Sequence, residues 1–471
     1  MNFHDYAAMT ARQIARAVGG GEVSAAEIAR AALSRLDEVD PRLHAFVHVA
    51  SDVIAQAERL DRSLAAGRRP GPLAGVPVAI KDLLPTRDMP TSFGSGLYRS
   101  HRSEVDEISV ARLREAGAIL LGKTNCSEFG YGGFGHNLVF PATRHPLDPA
   151  LTSGGSSAGS AVAVATGICP VALGSDGGGS IRLPAAFTGL VGVKASMGRV
   201  PLWPGCRTPD MPGASGWETV EHVGPLARTA EDAALVLSVI AGPDPRDRYS
   251  IPSADIDWLG ALSLPAPKGL RVAYCESWAS IPVDPEIATT VRRAAARLCD
   301  ALGARMAEIE APDVPLELYR AVVAVDTDIA GLRRMAGDHP CALSANLRDV
   351  LGTELTPEMM RTARFGRMKA VNAMAELMQG HDLLMTPATA CMPFAAGRNG
   401  PGEINGIGVP DDGWTPALFP MNLTGQPAVS VPAGLSSRGL PIGLQIAGRH
   451  LGDALVLQAA ALNDRLTGVS P

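Results

Sequence analysis

Short apolar runs that end on a polar stop recur along this chain. Residues 75–80 (GVPVAI) predict a buried strand that closes at Lys81 and Asp82. Residues 105–121 change period part-way: VARLREAGA has helical spacing, and AILLG after it reads as a strand. Residues 170–173 predict another short strand, and HAFVHV at 44–49 alternates like one. Upstream, the first eighty residues look helical. Ser24-Ala-Ala-Glu27 is a capping box, and Val23 and Ile28 stand where a hydrophobic staple closes. The pattern predicts that this helix stops before Asp40-Pro41. Residues 244–268 are polar and proline-rich, as in a surface connection, and 285–380 are mostly helical. Residues 393–416, rich in Gly, Pro and Asp, hold too few apolar side chains to pack a core and read as a lid over a pocket. The chain then returns to two strands, QPAVSVPAGL and PIGLQIAGR.

Short apolar strands alternating with helices imply an α/β layer architecture with a largely parallel sheet. A prior of about 150 residues per domain would allow three domains. Strands near both ends favour one large domain, 1–471, and there is no internal repeat.

Composition narrows the function classes. The formal net charge is -6 and no basic stripe stands out, which argues against a nucleic-acid partner. The 7 cysteines are scattered and include no CxxC pair, as expected of free thiols in a reducing compartment. The N-terminal residues lack an apolar run behind a basic segment, so no signal peptide is read. The longest apolar stretch, 161–173, is too short to span a bilayer and contains Pro170. A cytoplasmic protein with no membrane partner is expected.

Two Ser/Gly-rich loops lie close together, at 153–160 and 175–180. Glycines let successive N–H groups turn inward as an anion-binding nest, and a nest beside a serine hydroxyl suits acyl transfer. The same loops could cradle a phosphate or merely turn the chain, although neither GxxxxGK[ST] nor a strand–GxGxxG–helix unit is present. Residues 155–159 also match GxSxG, the nucleophile elbow of α/β-hydrolases. That reading makes Ser157 an esterase nucleophile, but the downstream His222, His339, His381 and His450 stand in no distinctive loop. His44 and His48 are four apart without a third ligand nearby, so no metal is expected.

The segment GGSSAGSAVAVATGICPVALGSDGGGSIRLPAAFTGLVGVKAS, residues 154–196, resembles the amidase-signature sequence at nearly every fixed position. GVPVAIKDLL, ARLREAGAILLGKTNCSEFGYGG, NLTGQPAVSVPAG and GLPIGLQIAG resemble other conserved stretches of that family. The resemblance covers about three-quarters of the chain, with its signature core at 70–245, and is vague over 250–400; the substrate-binding part that varies in the family spans about 285–420. It implies a single α/β domain with a twisted mixed sheet sandwiched by helices. It also implies that Ser180 is the nucleophile, Ser156 a bridging serine on a cis peptide bond, and Lys81 the base, with the oxyanion hole at Gly177, Gly178 and Gly179. Gly177 stands where Thr or Ile is often found, and Ala158 replaces a Gly.

A free lysine has a pKa near 10.4, so a neutral amine at pH 7 costs roughly 4.6 kcal/mol. Burial among few anions lowers that cost, and a relay serine lets the base stay buried. The resemblance implies hydrolysis of a C–N bond without a cofactor. Substrates would be neutral amides, aryl amides or carbamates, as for bacterial aryl acylamidases and urethanases. The family also includes an amidotransferase component that supplies ammonia to a partner, and a homodimer is compatible with either reading. Arg199, Trp203, Trp217 and Trp414 are candidate substrate-binding residues, each with a packing role as its alternative. Asp176 and Arg182 flank the nucleophile and are read as a pair that pins its loop.

Overall fold

The computed structural model describes residues 3–205, 219–337 and 343–468. Its strands are β1 (Phe46–Val49), β2 (Pro77–Lys81), β3 (Ile119–Thr124), β4 (Val171–Asp176), β5 (Val191–Lys194), β6 (His222–Ala227), β7 (Arg271–Tyr274), β8 (Arg305–Glu308), β9 (Leu383–Pro387), β10 (Glu403–Ile404), β11 (Ile407–Gly408), β12 (Ala428–Leu435) and β13 (Pro441–Gly448). Eleven of them form one sheet in the order β1-β3-β2-β4-β6-β5-β12-β13-β9-β7-β8.

The sheet is mixed rather than largely parallel. Parallel pairs flank it (β3-β2-β4 and β9-β7-β8), and the middle from β4 to β9 is antiparallel. Alternation of strands with helices correctly suggests crossovers at the flanks. It misses the hairpin of β12 and β13, which inserts between β5 and β9.

Side chains alternate between the two faces of the sheet. On β9, Leu383 and Met385 join one core while Leu384 joins the other. The larger core receives Ile28, Val236, Leu298 and Leu457 from the helices Ala25–Leu43, Ala230–Ile240, Pro285–Leu302 and Asp453–Thr467. The second core lies under the helices between residues 316 and 380 and takes Leu318, Leu332, Leu347 and Met374.

Three local expectations change. The helix Ala25–Leu43 does start at the Ser24 capping box, but it runs through Pro41. Pro41 falls in the last turn, so the one hydrogen bond it cannot donate is lost close to where the helix ends at Leu43. There the Asp40 carboxylate accepts the N–H groups of Ala45 (2.6 Å) and Phe46 (3.1 Å) beyond the helix end. The 244–268 stretch is anchored, because Trp258, Ala261 and Leu262 are buried. The 393–416 segment also packs: Ile404, Val409 and Trp414 form a satellite core with Leu183, Phe187 and Leu418. Among the described residues no helix is long and apolar enough to cross a membrane.

Candidate active site

Lys81 is the last residue of β2, and β4 runs parallel beside it with Ile80 opposite Leu173. Both strands are buried throughout, so Lys81 emerges at their shared carboxyl end with no exposed surface. Its Nζ lies 2.7 Å from Ser156 Oγ, 3.0 Å from Ser175 Oγ and 3.1 Å from the Ser175 carbonyl. Carboxyl ends of strands are where open α/β sheets place their ligands.

Ser156 is held by the loop that precedes the helix Ala158–Ala165, and the Gly155–Ser156 peptide bond is cis. Gly155 is required by close approach: a Cβ there would stand 2.1 Å from the Phe134 carbonyl oxygen. The next serine differs sharply. Ser157 is fully buried, and its Oγ donates to the Ser175 carbonyl (3.2 Å) and accepts the Ser175 N–H (3.3 Å). It ties the loop to β4 and does not line the cavity, and no described histidine lines it either. The nucleophile-elbow reading of Ser157 is therefore corrected: GxSxG arises here from a Ser/Gly tract.

Ser180 follows β4 on the second glycine loop. Its carbonyl accepts the Ser157 N–H (3.2 Å), which locks the two loops together. Its side chain opens on the cavity and is in no hydrogen bond among the described residues. The Gly179 N–H is donated to Asp176 Oδ1 at 2.7 Å. No described hydrogen bond uses the N–H of Gly177, Gly178 or Ser180, so these amides, rather than that of Gly179, are the donors open for a ligand. Gly178 has no room for a side chain, since a Cβ would lie 2.2 Å from the Tyr319 hydroxyl.

Beneath this loop sits a polar cluster with no water access. Asp176 and Arg182 are fully buried and 2.9 Å apart. Arg182 also donates to the Leu418 carbonyl (2.9 Å), Gln445 Oε1 (2.6 Å) and Asn422 Oδ1 (2.6 Å). Burial alone would raise the Asp176 carboxyl, but the Arg182 charge and the hydrogen bonds from Arg182 and Asn422 overcome it and hold the group well below the ordinary range. Nearby, burial pushes the Lys194 ammonium down to about 7, helped by the Arg182 charge. Lys194 donates to the Gln426 carbonyl and approaches His222 Nε2 at 3.3 Å.

A cavity of about 700 Å³ opens on Ser156, Ser175, Ser180 and the 177–179 backbone. Tyr319, Val323, Trp414 and Phe419 supply aromatic and apolar wall, and Glu221, Asp349, Asp411 and Asp412 supply acid. Arg320 is the one cationic side chain on the wall among the described residues, and Asp412 holds it in a bidentate pair at 2.6 and 2.7 Å.

The other candidates separate cleanly. Trp414 lines the cavity but is anchored, 1% exposed, stacked on Phe187 and donating its ring N–H to the Asp411 carbonyl. Arg199 is not in the site: it is buried and paired with Asp255 (2.7 Å) and Asp453 (3.4 Å). Trp203 does not line the cavity; its N–H goes to Glu107, and the Arg246 guanidinium lies over its ring at 4.3 Å. Trp217 lies outside the described residues. Among the described residues no group of three or more His, Cys, Asp or Glu could hold a metal ion.

Four residues at the site carried no signal of their own. Ser175 holds Lys81, Tyr319 donates to the Gly177 carbonyl (3.1 Å), and Asn422 and Gln445 hold Arg182. Ser175 stands inside the second glycine loop and could have been found there. The other three come from 139 or more residues further on (319 against 180), where no local spacing links them to Ser180.

Comparison with known proteins decides the family. The amidase family's sequence model matches residues 27–457. The chain is a member of the amidase family. It is 36% identical over 497 residues to a glutamyl-tRNA(Gln) amidotransferase component of Symbiobacterium thermophilum, covering 98% of this chain and 97% of that protein. A bacterial aryl acylamidase of the amidase-signature family superposes with a TM-score of 0.89 at 30% identity, covering 97% of this chain and 96% of that one. The 6-aminohexanoate cyclic dimer hydrolase in complex with its substrate superposes with a TM-score of 0.85 at 28% identity, over 98% and 97% of the two chains. This amidase thus shares both sequence and fold, over nearly its full length, with enzymes that act on C–N bonds.

Proposed function

We propose that this amidase hydrolyses neutral amides, aryl amides or carbamates through an acyl-enzyme on Ser180. The observation that carries the reading is the 2.7 Å contact of Lys81 Nζ with Ser156 Oγ, on the wall of a cavity that also exposes Ser180. In the proposed sequence the neutral Lys81 amine takes the Ser156 proton, and Ser156 takes the proton of Ser180 as its Oγ attacks the carbonyl carbon. Hydrogen bonds between catalytic groups often close only when substrate is bound, so the Ser156–Ser180 contact forms at that point. The N–H groups of Gly177, Gly178 and Ser180 receive the oxyanion. As the C–N bond breaks, the proton passes back from Lys81 through Ser156 to the leaving nitrogen. Water then attacks the acyl carbon and gives its proton through Ser156 to Lys81; the acid leaves as the bond to Ser180 Oγ breaks, and the proton returns through Ser156 to Ser180. A carbamate follows the same course, leaving an alkoxycarbonyl group on Ser180.

The cavity supports a neutral substrate. An α-carboxylate, as on glutamine, would meet acids on the wall and an arginine already paired with Asp412. Unpaired charge taken out of water is costly. The likeness to an amidotransferase component favours a second reading, ammonia release from glutamine for a partner. One kinetic series separates them: anilides and aryl carbamates against glutamine and asparagine, with wild type, Ser157→Ala and Ser180→Ala. The expected outcome is turnover of the neutral aryl substrates, loss of about 10³-fold or more in Ser180→Ala, and far more activity retained in Ser157→Ala. Preference for glutamine would favour the second reading. An active Ser180→Ala with an inactive Ser157→Ala would overturn the mechanism.

A further inference from the structure

Tyr319 lines the cavity and is bonded to the backbone of the second glycine loop. It stands on the helix Leu316–Asp326, and its hydroxyl donates to the Gly177 carbonyl at 3.1 Å. That carbonyl and the Gly178 N–H belong to one peptide unit. The unit is trans, because the cis bonds among the described residues are Gly155–Ser156 and Trp203–Pro204. In a planar trans unit the C=O and the N–H point in opposite directions. Holding the carbonyl on Tyr319 therefore holds the Gly178 N–H facing away from that hydroxyl, where no described group accepts it.

This peptide unit needs holding. The torsions on either side of it belong to two glycines, which present no Cβ to resist rotation. Were it to turn over, a carbonyl oxygen would replace the N–H and would repel an oxyanion. The next unit along is fixed from the opposite quarter, where Asp176 accepts the Gly179 N–H at 2.7 Å. Tyr319 and Asp176 thus fix two successive peptides of the loop.

The phenol is itself firmly placed. Its ring stacks on Phe419 with centroids 5.1 Å apart, and its neighbour Leu318 is buried in the second core. Burial, with the Asp176 charge adding to it, pushes the hydroxyl well above its ordinary range, so it stays a donor at neutral and alkaline pH. We propose that Tyr319 is a positioning residue of the oxyanion hole: its hydroxyl keeps the Gly177–Gly178 peptide turned so that the Gly178 N–H is presented to the oxyanion. The proposal rests on the acyl-enzyme reading of Ser180. It adds a group from the variable 285–420 region to machinery otherwise drawn from the signature core.

The test is Tyr319→Phe in the full chain, which removes the hydroxyl and keeps the ring on Phe419; circular dichroism melting should stay near wild type. Loss of a whole oxyanion donor costs about 10²–10³ in kcat, and a donor that turns rather than vanishes should cost less, about tenfold. KM for anilides should change by less than about twofold, because the N–H acts on the transition state and not on bound substrate. An aryl trifluoromethyl ketone gives a second readout. Ser180 Oγ adds to its carbonyl carbon, the Ser180 proton passes through Ser156 to Lys81, and the hemiketal carries an oxyanion. Its inhibition constant should rise by about the same factor as kcat falls. The loss in kcat/KM should also be equal across anilides whose leaving anilines differ in basicity. Wild-type kcat and ketone affinity in Tyr319→Phe would overturn the proposal, and an inactive Ser180→Ala beside them would leave the acyl-enzyme reading standing. An active Ser180→Ala would overturn both. A loss confined to KM would overturn the proposal in favour of a substrate contact. A loss that grows with the basicity of the leaving aniline would overturn it in favour of proton donation by the phenol.

Discussion

Two ion pairs of similar length hold two parts of the cavity wall. Asp176 and Arg182, 2.9 Å apart, have no exposed side-chain surface, whereas Arg320 and Asp412, 2.6 Å apart, are 47% and 52% exposed. The first is enclosed by Asn422, Gln445 and the Leu418 carbonyl, and its acid also fixes the Gly179 N–H. The second joins the helix Leu316–Asp326 to the 393–416 segment at the cavity mouth, with solvent on both partners. In a dry site every donor and acceptor must be met, so that wall is rigid and sets the loop that carries Ser180. At the mouth water competes, so the pair contributes little to stability and can open for a ligand. On the proposed mechanism, chemistry and selectivity would therefore rest on differently built walls.

Breaking the buried pair should have the larger effect. Arg182→Met leaves Asp176 as an uncompensated buried charge, a change that costs about 3–5 kcal/mol. The expected outcome is a melting temperature lowered by several degrees and loss of turnover, read by calorimetry and an anilide assay. The sign of the pH effect follows from the Asp176 carboxyl, which is held well below its ordinary value of 3.8. Its contribution is complete above that value and is lost as pH falls toward the folded value. The wild-type advantage over Arg182→Met should therefore shrink in strong acid.

Opening the exposed pair should change selectivity instead. Arg320→Ala should shift stability by no more than about 1 kcal/mol. It should raise kcat/KM for bulky aryl amides relative to small ones, because the mouth loses its tie. An equal change for both sizes of substrate would show that the pair does not gate the mouth.

The smallest effect lies remote from the cavity. Burial raises the Asp464 carboxyl to about 7, against the Ala230 N–H that it accepts at 2.6 Å, and its Oδ1 has no hydrogen-bond partner among the described residues. The folded chain keeps this proton where the unfolded chain has lost it. Stability therefore falls as pH rises from 3.8 to about 7 and is flat beyond. Asp464→Asn should remove that decline and gain about 1 kcal/mol at pH 8, measured as a melting temperature. A lower stability than wild type at pH 8 would contradict this.

The contrast between the walls also explains what was legible in the sequence. Lys81, Ser156 and Ser180 stand in runs whose local chemistry is distinctive: an apolar strand ending on a lysine, and two serine–glycine loops. The pairing of Asp176 with Arg182 was legible for the same reason, since they stand only six positions apart around one loop. Asn422 and Gln445, which complete that cluster, arrive on segments more than two hundred residues away, and nothing in their own neighbourhoods marks them. The place of the 393–416 segment beside the cavity was legible, but its packing was misread because Ile404, Val409 and Trp414 are spaced singly among glycines and prolines. They have no period, and only the fold gathers them against Phe187 and Leu183. Arg199 and Trp203 are a similar case: nearness in sequence to the signature segment did not bring either side chain to the cavity.

The central claim is that Ser180 carries the acyl group. Its most direct test is mass spectrometry of the enzyme quenched during turnover of a slowly deacylating N-aryl alkyl carbamate. Ser157 and Ser180 share one tryptic peptide, because no Lys or Arg separates them, so fragment ions must locate the adduct. The account predicts one alkoxycarbonyl group, on Ser180, retained in Ser157→Ala and absent in Ser180→Ala. An adduct on Ser157, or one that survives in Ser180→Ala, would contradict it.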